Sequence, residues 1–140
     1  MKKIIFTVLL LLFLGFEAYS QGKIISKEDA DKLFGPVLIS KVFPTEGLQT
    51  TINKSKEIVM FKMINKEVYI LNNDRDVLLP GKVKIDSSEV FSVYSLSVLQ
   101  ELMKNGGKDT TYVEERDSVL TLTNGSLTVE YSIPCPPNCN

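Results

Sequence analysis

Two cysteines close the chain, in the run Pro134-Cys135-Pro136-Pro137-Asn138-Cys139-Asn140. Paired thiols can serve as a redox couple, a local clasp, part of a metal site or a tether to another chain. Redox dithiols use Cys-x-x-Cys at a helix N-terminus, where the helix dipole stabilises the thiolate. Here the spacing is Cys-x₃-Cys, and Pro136-Pro137 forbids an ordinary helix start at Cys135. The spacing therefore argues against an oxidoreductase. Two thiols also fall short of a Cys₄ zinc site unless two chains share the ion. A turn over 136–139, with Pro137 and Asn138 at its centre, would bring the sulfurs together, whereas an extended Pro-Pro segment would oppose closure. A disulfide between Cys135 and Cys139 of one chain is the favoured expectation, and pairing between chains is the alternative. Loop-closure entropy gives such a short ring roughly 2 kcal/mol before strain. A ring of that size cannot staple the fold.

The sequence contains no histidine. Ser-His-Asp and Cys-His nucleophiles are excluded, as are metal sites built on His. No glycine-rich phosphate loop is present, and no cofactor or metal is expected. Carboxylates remain. Glu28, Asp29 and Asp31 cluster where a helix is expected to begin, a placement explained by the helix dipole. Glu114, Glu115 and Asp117 surround an expected turn and read as a solvated face. Glycoside hydrolysis needs two carboxylates at a fixed separation, and no such pair stands out. Asn72-x-Asp74-x-Asp76 starts like a calcium loop but carries Val77 where Gly belongs and Val83 where the bidentate Glu belongs. It reads as a polar turn. Asp109-Thr110-Thr111 and Asp117-Ser118-Val119 resemble short O-glycosylation sites of exported bacterial proteins, a pattern that arises easily by chance. Among the aromatics, Tyr112 and Tyr131 are the candidate ligand-binding residues, because both fall on an expected antiparallel meander with one open face.

These residues need elements to hold them. Ser26 through Pro36 reads as a short helix: Ser26 caps it, acids fill its first turn, and Gly35-Pro36 ends it. Val37-Leu38-Ile39 begins a strand. Residues 44–55 read as a loop long enough to bind something. Strands follow at 58–64, which is apolar on both faces, at 67–71, at 77–79 and at 82–86. After an apolar stretch at 90–94, Ser95 or Ser97 can cap a second helix that stops at Asn105-Gly106-Gly107. Residues 110–115 precede a hairpin in which Asn124-Gly125 is the expected two-residue turn, pairing Leu122 with Leu127 and Leu120 with Val129. The fold class is therefore α+β: a small domain of mainly antiparallel twisted sheet with two short helices and a C-terminal β-meander. That outline is similar to cystatin-like and related secreted α+β folds, with no motif tying it to one of them.

Location is read from the other end. Lys2 and Lys3 precede an apolar run over 4–16, and Ala18-Tyr19-Ser20 supplies small residues at the −3 and −1 positions of a cleavage site before Gln21. The leader resembles bacterial export leaders ending in Ser-Gln. Its apolar run is shorter than the roughly 20 residues that span a bilayer. The expected organisation is a signal peptide at 1–20, one domain at 21–134 and a Cys/Pro-rich tail at 135–140. The formal net charge is −1, with lysines and acids interspersed. Nothing electrostatic favours nucleic acid or an anionic membrane. The function expected is a small exported, periplasmic or extracellular, non-catalytic binding protein. Its partner would be an envelope or secreted protein or a small apolar ligand, with no stable membrane insertion after leader cleavage. The alternative is an enzyme inhibitor presenting 44–55 or 72–76, or a small carboxylate-dependent enzyme.

Overall fold

The structure, a computed structural model, describes residues 21–117, 119–130 and 133–135, the last three by backbone alone. The strands divide into two five-stranded antiparallel sheets, and the chain passes between them three times. The first sheet has the order β1 (Lys23–Ser26), β9 (Leu127–Glu130), β8 (Val119–Asn124), β7 (Thr110–Arg116), β2 (Ile39–Pro44). The second has the order β10 (Ile133–Cys135), β6 (Phe91–Ser95), β3 (Ile58–Ile64), β4 (Glu67–Leu71), β5 (Val77–Leu79). The α+β class and the C-terminal meander β7–β8–β9 match expectation, while the strands form two facing sheets. No helix among the described residues is long and apolar enough to cross a membrane.

Alternation along each strand decides what each face buries. Val113 on β7, Leu120 and Leu122 on β8 and Val129 on β9 turn inward and meet Val59 and Phe61 on β3, Ile70 on β4 and Tyr94 on β6. Phe61 meets Tyr94 edge-on, with ring centroids 5.9 Å apart at 76°. The Tyr94 hydroxyl donates to the carbonyl of Leu120, a direct tie between the sheets. Strand β3 is apolar on both faces because it is covered on both. Its outer residue Met60 joins Leu71, Phe91 and Val93 in a second cluster, against which Ile85 packs.

Helix α1 (Lys27–Phe34) forms as its signals require. The Ser26 hydroxyl accepts from the Asp29 N–H at 3.0 Å, and Gly35, at φ +74°, lets its N–H reach the Asp31 carbonyl. Helix α3 (Leu96–Gly106) buries Val98, Leu99, Leu102 and Met103 and ends at Gly107 in the left-handed conformation. Ser95 stands at its N-cap position, but its hydroxyl accepts from the Gln21 N–H instead of capping.

Three expectations are corrected. Residues 45–52, expected to be loop, form a third helix, α2 (Thr45–Ile52). Gly47 and three threonines disfavour it locally, yet Thr45, Leu48 and Ile52 share one buried face. Thr50 and Thr51 satisfy their hydroxyls on carbonyls four residues back. The stretch 82–86 is irregular, because Asp86 folds back to accept from the backbone N–H and hydroxyl of Ser88. The final hairpin turns at Gly125-Ser126, so Leu122 pairs with Val129, Thr123 with Thr128 and Asn124 with Leu127. This shift moves each partner by two places, so every residue keeps its expected face. Asn124 cannot sit in the turn because its side chain is buried. Its amide donates to Thr45, Thr111 and the carbonyls of Lys108 and Thr110, and its carbonyl oxygen accepts from the Lys108 N–H at 2.9 Å.

Candidate ligand cleft between the sheets

Where the β7–β8 turn leaves the core, the two sheets part. A cleft of about 450 Å³ opens there, between the end of β7 and start of β8 on one side and the end of β3 and start of β6 on the other. Phe61, Met63, Val90 and Ser92 line the second-sheet wall. Glu115 and Leu120 line the first-sheet wall. The register explains the grouping. Phe61 pairs with Ser92, so both side chains share the inner face. Glu115 lies two places from the inward Val113 and so points the same way. The cleft therefore mixes apolar side chains with one half-buried carboxylate and one hydroxyl, and Lys62 and Arg116 also line it.

The neighbouring charges are occupied elsewhere. Lys62 pairs with Glu89, and its ammonium lies 5.9 Å from the centroid of the Phe91 ring. Arg116 borders the cleft, but its guanidinium serves the outer face of the first sheet. It is fully buried there and donates through Nε to Thr121 at 3.2 Å and through Nη1 to Asp31 and the Gly35 carbonyl, both at 2.7 Å. Its Nη2 donates to Glu114 at 3.2 Å. Glu114 also accepts from Thr123 at 2.8 Å. This outer face is a buried polar layer that fastens α1 to the sheet. The Arg116 hydrogen bond, followed by that of Lys27, holds the Asp31 carboxyl below its ordinary range. On the same face, burial pushes the Glu130 carboxyl up, partly opposed by Lys23 across the β1–β9 pair.

The acidic trio 114, 115 and 117 is thus split by the strand. Glu114 is consumed in an ion pair on one face, and Glu115 enters the cleft on the other. No second carboxylate joins Glu115 among the cleft-lining residues. Among the described residues, no group of three metal-ligating side chains forms. The 72–76 turn is held by its own asparagines: Asn72 Oδ1 accepts from Asp74 and Asp76, and Asn73 Oδ1 accepts from the backbone of 56–58.

Tyr112 sits on the outer face of β7, opposite Val42 of the edge strand β2, and 39% of it is exposed. It does not reach the cleft. Tyr131 and Cys139 lie outside the described residues, as do residues 1–20 and Ser118. The backbone of Cys135 ends β10 opposite Phe91. The sequence reads Glu115 as part of a solvated face and gives its apolar partners no role, whereas Glu115 is half-buried in the cleft. Their one local signal is a carboxylate at a position that continues the inward series of Thr111 and Val113. No family model, curated protein or solved structure matches this chain.

Proposed function

We propose that the protein is a small exported, non-catalytic binding protein whose cleft takes an apolar molecule carrying a basic or hydrogen-bond-donating end. The observation that carries this reading is the placement of Glu115 and Ser92 beside Phe61, Met63, Val90 and Leu120, while the other polar lining residues, Lys62 and Arg116, are paired with Glu89 and Glu114. The cleft volume falls within the ~300–1,000 Å³ of ordinary ligand sites, which are mainly apolar with a few placed polar groups. Apolar walls supply affinity by burying hydrocarbon at roughly 25 cal/mol per Å². The lone carboxylate supplies orientation through a charge-assisted hydrogen bond. The Lys2-Lys3 n-region, the apolar run and Ala18-Tyr19-Ser20 support export to the periplasm or medium.

The test uses decylamine and decanoate as probes against residues 21–140, followed by NMR shift perturbation. Decylamine is expected to move resonances of Phe61, Met63, Val90 and Leu120, and decanoate to bind more weakly. Glu115→Gln should lower decylamine affinity roughly 10-fold or more, the scale of a hydrogen bond to a charged group. Ser92→Trp should fill the cleft and abolish binding. Perturbations centred elsewhere, or equal affinity for both probes, would refute the reading.

A further inference from the structure

Gln21 begins the chain that remains if the leader is cut after Ser20, and the fold leaves little room around its nitrogen. The residue is 9% exposed with the preceding residues still attached. Its N–H donates to Ser95 Oγ at 2.6 Å, and its carbonyl accepts from the Ser95 N–H at 2.7 Å. The next residue is equally confined. A Cβ on Gly22 would lie 3.1 Å from Val129 Cγ2, 3.3 Å from Val98 Cγ1 and 3.4 Å from Tyr94 Cδ1. The chain start is wedged among β9, α3 and β6.

A newly cut chain would place a free α-amino group here, a cation below about pH 7.7–8.0. That cation has three protons to place, and the hydrogen bond this nitrogen makes among the described residues is the one to Ser95 Oγ. Burying an under-bonded charge is costly. A neutral nitrogen with a single N–H fits what the site provides. Gln is the residue that can supply one from its own side chain. Its Oε1 is buried and without a partner, so no hydrogen bond to that oxygen holds the side-chain amide away from the nitrogen.

We propose that Gln21 is a modification site, cyclised after leader removal to an N-terminal pyrrolidone lactam. The α-nitrogen attacks the side-chain carbonyl carbon Cδ, the N–Cδ bond forms and the Cδ–Nε2 bond breaks. Nε2 leaves as ammonia with the proton given up by the attacking amine. No oxidant, reductant or co-reactant is needed. The lactam N–H keeps the bond to Ser95, and the charge is gone.

The inference rests on the export reading of residues 1–20, and one mass measurement separates the two. The full 140-residue chain is produced in an exporting bacterial host, and the processed protein is weighed intact and its N-terminal peptide sequenced. The expected species is 21–140, lighter than its sequence by one ammonia, resistant to aminopeptidase and opened by pyroglutamyl peptidase after unfolding. A species 21–140 at full mass with a free amine overturns the lactam and leaves the cut intact. A chain starting at Met1, or anywhere else, overturns the export cut and the lactam together. In a second measurement, protein freshly prepared with a free Gln21 amine is melted beside its cyclised form. The cyclised form should melt several degrees higher, and equal melting temperatures would overturn the burial argument.

Discussion

Replacing Arg116 by Met keeps the hydrocarbon stem and removes every polar atom of the guanidinium. The wild-type side chain is fully buried and serves Thr121, Asp31, Glu114 and the Gly35 carbonyl. Its pair with Asp31 is worth little by itself, because the Asp31 side chain is 43% exposed and water screens it. Glu114 is different: its side chain is 6% exposed, and the substitution would leave a buried carboxylate with Thr123 as its remaining hydroxyl partner. Removing one member of such a pair costs about 3–5 kcal/mol. A domain of this size holds about 5–15 kcal/mol in total. The lower end of the cost, about 3 kcal/mol, corresponds to a fall in melting temperature of about 10–15 °C. Urea denaturation followed by circular dichroism measures it, with the denaturant slope unchanged if the folded state survives. The charge argument has its own control. Arg116→Met combined with Glu114→Leu removes both charges and should recover more than half of the loss, because well-packed apolar replacements of ion pairs are near neutral. A single substitution costing less than about 1 kcal/mol would refute the reasoning, as would a double variant no more stable than the single.

Two further predictions concern the same sheet. Gly106→Ala should destabilise the protein by roughly 1–3 kcal/mol despite the better helix propensity of Ala, because the new Cβ would lie 2.3 Å from Asn124 Oδ1 and 2.5 Å from its backbone oxygen. The same denaturation assay checks it, and a neutral or stabilising result would show that the Asn124 pin yields. Glu130 has a carboxyl pushed above the ordinary 4.5 by burial, so the folded state holds its proton more tightly than the unfolded state. Its charged form therefore weakens the fold at neutral pH, and that penalty fades as pH falls towards 4.5. Glu130→Gln should raise the melting temperature at pH 7 and leave it unchanged below about pH 4, in a thermal series across pH. Asp31 works in the opposite sense. Its lowered carboxyl stabilises the fold above pH 3.8, and that contribution is lost as pH falls further.

How much was legible follows the reach of each interaction. Helix α1 is written within eleven residues, from the Ser26 cap to the Gly35-Pro36 stop, and it forms there. The hairpin faces were legible because alternation fixes them. Its turn was not, because Asn124 is held by Thr45, Thr111 and Lys108, residues distant in sequence. Helix α2 was illegible for the same reason. Half of its residues, Gly47 and three threonines, are poor helix formers, and the burial of Leu48 and Ile52 against the core selects the helix. The cleft depends on four strand ends that no local pattern brings together. Glu114 and Glu115 look alike in sequence, and only the pleat of β7 sends one to an ion pair and the other to the cleft.

The pairing of β1 with β9 has a consequence for the order in which the fold can be completed. These strands come from opposite ends of the domain, with Lys23 opposite Glu130 and Ser26 opposite Leu127. A chain emerging from the ribosome N-terminus first exposes β1 long before its partner exists. The first sheet cannot close, and α1 cannot find the Thr121–Thr128 layer beneath it, until β9 is available. Such wiring delays closure of the first sheet until β9 has been made. On the export proposed above, the same wiring would keep the polypeptide threadable through a translocation pore until β9 has followed β1 across.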